Sequence, residues 1–353
     1  MTDPADPPPL PKPHPPLLLR WGVLVLISVA MFGNYYIYDA ISPLADLLKS
    51  QLGLSDSQIG TLNAIYSLPN IFMVLVGGII IDRVGTRRAT ALFCLLCLIG
   101  TLITALSSAF PMMAAGRLVF GLGGESMIVA VTAAIAKWFK GKELSLAFGV
   151  NLTISRLGTF AALNSPSWAK GLYDTWRGPL LLTAGAAVLL MLVGVLYWWL
   201  EARADRRYVL GDASETEKIT FQDLFRFSRS YWLICALCFT FYSAVFPFQT
   251  FAVKFFQETD GLTRESAGFL TSLLILMAMV ATPAFGFLVD MIGRRALLMM
   301  LGSILLLPVF QLSDFLGIYD TYIGLIAIHV AFQLGFCTFV LRNYMMTVPV
   351  QLM

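Results

Sequence analysis

Apolar runs of about twenty residues recur along the chain, and short stretches rich in Gly, Pro, Lys and Arg separate them. Each run is long enough to cross a bilayer core as a helix. Read with their breakers, the runs predict ten spanning helices near 21–45, 57–80, 88–108, 111–136, 143–168, 177–200, 231–256, 264–289, 294–312 and 320–348. A proline-rich stretch, "DPPPLPKPHPP", precedes the first, so residues 1–20 are expected to form a disordered tail. The charged segment 201–230 separates six helices from four. The expected plan is therefore a six-helix bundle over 21–200, a cytoplasmic linker over 201–230 and an incomplete second bundle over 231–353.

Composition points the same way. The chain has 353 residues, 58% hydrophobic and only 13% charged, about half the charged share of a soluble domain. The net charge of +3 is spread over loops, which argues against nucleic acid as a partner and leaves membrane lipid as the surrounding one. The basic residues also set an orientation. With the N-terminus in the cytoplasm, sixteen Lys and Arg fall on the cytoplasmic side, five on the other and three inside helices. Two Cys-x-x-Cys pairs, Cys94/Cys97 and Cys235/Cys238, lie in apolar runs without His nearby, and read as small packing residues rather than a metal or redox site. The sequon at Asn151 falls inside a predicted helix and is expected to be unused. No Ser–His pair, ligand cluster or phosphate loop stands at matching depth, so neither an enzyme nor a cofactor is expected.

Two loops repeat. "GIIIDRVGTRR" (78–88) and "GFLVDMIGRR" (286–295) align at an offset of 208 residues, which also places Gly53, Leu54, Gly60 and Leu62 on Gly261, Leu262, Gly268 and Leu270. Repeats of this kind point to two homologous halves rocking about a central site. The shared frame comprises Gly78, Asp82, Arg83, Gly85 and Arg87 in the first copy, and Gly286, Asp290, Gly293, Arg294 and Arg295 in the second. Its glycines allow close helix approach, and its charges suit a latch that forms in one state and breaks in another. The frame resembles the loop signature of the major facilitator superfamily, met twice, with Thr86 where arginine is usual. The resemblance implies an all-α membrane fold of 6 + 6 helices. The ten counted here make it 6 + 4, short of the last two, and would leave Asp82 without the start of helix eleven as its partner.

The most informative residues are charges within the runs. Glu125 and Arg156 lie equally far on either side of the polar turn "WFKGKE" (138–143), both about 20 Å from it along their helices. Charges at such depth face a cavity or a partner. This pair could bind the two ends of a zwitterion, with Arg156 forking onto a carboxylate, or could brace the hairpin as a salt bridge. Arg117 and Asp39 fall together in the outer third, as a gate or as a structural clamp. Tyr35, Tyr36, Tyr38 and Tyr66 bring hydroxyls toward the same region, as site or interfacial residues, and Tyr38 and Tyr66 join the substrate-binding set. Gly121, Gly123 and Gly124 follow no strand and read as helix-packing positions rather than a nucleotide loop.

Several segments carry a narrower likeness: "YSLPN", "GRLVFGLGGES", "WFKGKELSLAFG", "ISRLG", "AVFPF" and "FGFLVDMIG". Together they resemble the lysosomal dipeptide transporter branch. That resemblance implies that Glu125 and Arg156 read the two ends of a dipeptide, moved by a facilitative carrier through alternating access. An accessory subunit is compatible with it. The tail lacks the acidic dileucine signal of animal members, so a cell or inner membrane is expected unless the chain is of animal origin, where the lysosomal membrane would apply. A carrier of another small organic anion or amino acid, using Arg156 alone, is the alternative, followed by a non-transporting remnant.

Overall fold

The computed structural model describes residues 13–139, 143–211 and 248–292, and every regular element among them is a helix. Helix α1 (Leu17–Asp39) continues through a 3-10 turn at Ser42–Leu44 into α2 (Ala45–Leu52), and the three make the first membrane crossing. The second crossing is broken into α3 (Asp56–Ser67) and α4 (Asn70–Val84), because Pro69 has no N–H to offer and crowds the preceding turn. A capping box at Ser55 and Gln58 starts α3. Helices α5 (Thr86–Leu106), α6 (Phe110–Trp138), α7 (Leu144–Leu163) and α9 (Arg177–Arg207) complete six membrane-spanning helices among the described residues, with the short α8 (Ser165–Trp168) after α7. Helix α10 (248–260) and α11 (Arg264–Ile292) belong to the second half. The predicted helices nine and ten, most of the linker, and Gly293, Arg294 and Arg295 lie outside the described residues.

Three helix ends depart from the pattern. The first crossing runs on through α2 to Leu52 rather than stopping near 45. The sixth crossing runs on to Arg207 rather than stopping near 200, because Glu201 and Asp205 on its last turns pair with Lys137, and Asp205 with Arg87. The fifth ends at Leu163, where the Asn164 N–H bonds back to Phe160 O and Pro166 restarts the chain as α8.

Packing in the first half depends on small residues. Helices α5 and α6 meet at Gly100 and Gly116, where a Cβ on Gly100 would stand 2.6 Å from Gly116 O and one on Gly116 would stand 2.7 Å from Gly100 O. Helix α1 packs on α7 and α9, and α5 on α9. Phe93, Cys94, Cys97, Phe120 and Met127 fill the space between, all fully buried. Cys94 and Cys97 are free thiols in this core, which agrees with their reading as packing residues.

The internal repeat is visible in the backbone. Gly53 and Gly261 each follow a helix in the left-handed region, at φ 67° and 63°. The residue after each glycine donates its N–H back into the helix, Leu54 to Leu48 O and Leu262 to Phe256 O, both at 3.3 Å. Only glycine adopts this cap without strain.

Candidate functional site

The basic end of the bundle carries the first signature loop. Gly85 connects α4 to α5 at φ 84° and ψ 156°, a conformation that L side chains rarely adopt. Gly78 lies within α4 with open space around it, and Asp82 and Arg83 are exposed. Thr86 turns inward. Its hydroxyl donates to Glu201 Oε1 at 2.6 Å, and Lys137 Nζ reaches the same oxygen at 2.8 Å. Asp205 joins Lys137 at 3.2 Å and Arg87 at 3.5 Å. Thr86 thus shares one nearly inaccessible carboxylate with a lysine. Gly286 and Asp290, the equivalents of Gly78 and Asp82, lie within α11.

Deeper in the bundle, α1, α3, α6 and α7 converge. The guanidinium of Arg117, 2% exposed, forms the structural centre of this region. Its Nε donates to Leu62 O at 3.0 Å and Nη1 to Ile37 O at 3.2 Å. Its Nη2 donates to Tyr38 O and Asn63 Oδ1, both at 3.1 Å. The rings of Tyr38, Tyr66 and Phe120 each stand 5.6 Å from its Cζ, and Tyr66 packs on both of the others at 4.5 and 5.2 Å. The Asp39–Arg117 ion pair expected from depth is not formed: no such contact within 4 Å occurs among the described residues. The reason is local. Helix α1 ends at Asp39, and its last carbonyls are free to accept from Arg117.

Glu125 and Arg156 sit where the hairpin places them, thirteen residues before the end of α6 and twelve after the start of α7. Both are half-buried. They face different neighbours. The Glu125 carboxyl meets the Tyr66 hydroxyl of α3. The Arg156 guanidinium lies 5.6 Å from the Tyr35 ring of α1. Tyr35 is also within electrostatic reach of Glu125 and Asp39. Gly124 makes room for this arrangement: a Cβ there would lie 2.7 Å from Asn34 Oδ1 and 3.0 Å from the Tyr66 hydroxyl. Asn34 also reaches Gly124 O at 3.5 Å. Towards the non-basic end, Tyr38, Asp39, Ser42 and Asn63 of the first half and Gln249 and Thr250 of the second line a small polar cavity, with room for about one water.

Asn34, Asn63 and Tyr35 as the shared neighbour were not singled out from sequence. Asn34 carries a usable signal, since it is the lone amide inside the apolar α1; Asn63 lies in the more polar α3 and does not stand out. The role of Tyr35 depends on the angle at which α1 crosses α6 and α7, which no local pattern encodes.

Comparison with known proteins completes the picture. The family model described as Major Facilitator Superfamily matches residues 27–353. A zebrafish (Danio rerio) protein named a lysosomal dipeptide transporter is 33% identical over 91% of this chain and 72% of its own length. The human protein of the same name is 35% identical over 83% of this chain and 66% of its own length. Among solved structures, a bacterial homolog of the human lysosomal transporter Spinster superposes with a TM-score of 0.74, at 19% identity, over 96% of this chain and 79% of that one. The repeated signature loop, the helical bundle with its repeated glycine caps, and a family match running through both halves agree: the chain is a multi-pass membrane protein of the Major Facilitator Superfamily.

Proposed function

We propose that this chain carries small peptides, dipeptides first, across a membrane by facilitative alternating access. The observation that carries the reading is that Tyr35 of α1 lies against the Arg156 guanidinium of α7 and within electrostatic reach of Glu125 of α6, so a basic and an acidic group share one neighbourhood in the first half. Arg156 offers a planar fork to a carboxylate. Glu125, backed by Tyr66, offers an acceptor for an ammonium, so a ligand with charges at both ends can engage the two. Tyr38 and Asp39 border the polar cavity beyond. The relatives named dipeptide transporters support the substrate class. The positive-inside asymmetry favours placing the basic loops in the cytoplasm.

The test is uptake into proteoliposomes, with labelled dipeptide, free amino acid and monocarboxylate compared. The expected result is dipeptide uptake that runs to equilibrium without an ion gradient and falls at least tenfold in both Glu125→Gln and Arg156→Lys. Uptake of monocarboxylate alone, sensitive only to Arg156→Lys, would replace the zwitterion by a simple anion. Unchanged uptake in both variants would remove the site.

A further inference from the structure

The two halves meet at the non-basic end through polar contacts that obey the internal repeat. Asp46 on α2 receives Arg264 of α11 in a two-pronged pair, Nη2–Oδ2 2.5 Å and Nε–Oδ1 3.2 Å. Lys254 on α10 pairs with Asp56 at the start of α3. The 208-residue offset turns Asp46 into Lys254 and Asp56 into Arg264. The second ion pair is therefore the image of the first, with both acids in the first half and both bases in the second. The same offset turns Ser42 into Thr250. The Ser42 hydroxyl lies 2.9 Å from Gln249 O and 3.0 Å from Thr250 O, so it meets its own counterpart on the axis of the repeat. Lys49 reinforces the second pair through Asp56 at 3.2 Å and Glu258 at 3.7 Å, and Gln257 reinforces the first through Asp46 at 3.4 Å.

From this arrangement we infer that Asp46–Arg264 and Asp56–Lys254 are the two symmetric bolts of one gate. They close the non-basic mouth and open together when the halves rock apart. Because the pairs are exchanged by the pseudo-twofold and Ser42–Thr250 sits on it, a rotation that parts one pair parts the other. Weakening either one has the same effect. The gate closes directly over the cavity that Ser42, Gln249 and Thr250 line. Identical signs on the two halves would repel; inverting the charge between copies converts a self-image into an attraction.

The inference rests on the alternating access of the proposed function but needs no substrate for its test. Spin labels are placed at Ser108→Cys and Asp260→Cys, exposed positions at this end on opposite halves, in the full chain with its other cysteines replaced by alanine and reconstituted in nanodiscs. Pulsed dipolar spectroscopy then reads the distance across the mouth. Asp46→Arg and Lys254→Asp, made singly, are each expected to raise the long-distance fraction at least fivefold and to equal extents. The swaps Asp46→Arg with Arg264→Asp, and Asp56→Lys with Lys254→Asp, are expected to restore the short distance. Elution as a monodisperse species shows that each variant is folded. Distances unmoved by the single reversals, or swaps that fail to restore them, overturn the gate. So does a response confined to one pair, which breaks the symmetry. A chain that shows reversal and rescue yet carries no dipeptide upholds the gate and removes the proposed substrate.

Discussion

Replacing Arg117 by Met tests whether this buried cation is a clamp or half of a gate. The side chain keeps its length and loses all its donors. Four hydrogen bonds disappear, leaving the carbonyls of Leu62, Ile37 and Tyr38 and the amide oxygen of Asn63 without that partner. Bonds to a charged group contribute about 1.5–3 kcal/mol each. Desolvation of the guanidinium, several kcal/mol, offsets much of the gross gain. The net loss is about 3–5 kcal/mol, the excess of four such bonds over the desolvation cost that the neutral side chain relieves. At about 2–4 °C per kcal/mol for a body of this size, the apparent Tm, followed by tryptophan fluorescence in detergent, falls by roughly 10 °C. Arg117→Lys is expected to lie close to the Met variant, since an ammonium cannot reach partners spread around a planar fork. Asp39→Asn supplies the contrast. If Arg117 is held by carbonyls, neutralising Asp39 moves Tm by less than about 2 °C. An Arg117→Met variant as stable as the parent, or an Asp39→Asn variant that loses as much as Arg117→Met, would refute the clamp.

Three further outcomes follow from packing and charge. Gly100→Val places a branched side chain against the backbone of α6 at Gly116 and Phe120; α5 and α6 must part, and Tm is expected to fall at least as far as in Arg117→Met. Gly124→Ala pushes on Asn34 Oδ1 and the Tyr66 hydroxyl beside Glu125, so its expected signature is a higher KM for transport with a Tm change of only a few degrees, read by concentration-dependent uptake. Glu201→Gln leaves Lys137 with only Asp205 and weakens the Thr86 bond. A loss of about 3 kcal/mol in thermal unfolding is expected, and adding Lys137→Met should recover part of it, the sign of direct coupling.

Much of this architecture is legible in the sequence because a bilayer forces long, uniform apolar runs, and because the repeated glycine frame can be aligned without a structure. The predicted starts of the second to sixth crossings lie within two residues of the observed ones, because polar or glycine-containing turns give sharp edges. The sixth was read short, since "EARADRR" is polar and its helicity depends on ion pairs to Lys137 and Arg87 from other helices. Counting from the polar turn puts Glu125 and Arg156 level with each other but does not fix which neighbours each one faces. Their azimuths differ: one faces Tyr66 on α3, the other Tyr35 on α1. Depth also suggested Asp39 for Arg117, and here it misled. Backbone carbonyls are invisible to any scan of side-chain charges, yet they supply three of the four acceptors, two of them at the end of α1.

The distribution of polar contacts separates what must stay together from what must come apart. Within the first half, Arg117 and the Thr86–Glu201–Lys137 cluster are buried, and each ties together several helices of the same half. Breaking either would strand a charge in a low-dielectric interior at a cost of several kcal/mol, too much to repeat in every cycle. Between the halves the charged contacts lie at the rim. In each pair the acid is the more accessible partner, Asp56 at 50% against Lys254 at 8% and Asp46 at 31% against Arg264 at 20%, so water reaches both pairs and each holds less tightly than a fully buried network. A carrier needs this contrast, because the barrier between its states is set by the contacts that break and the fidelity of the site by those that do not. Glu125, Tyr35 and Arg156 all lie on the rigid side of the division, so the first half would keep the spacing of the three while the mouth above them opens.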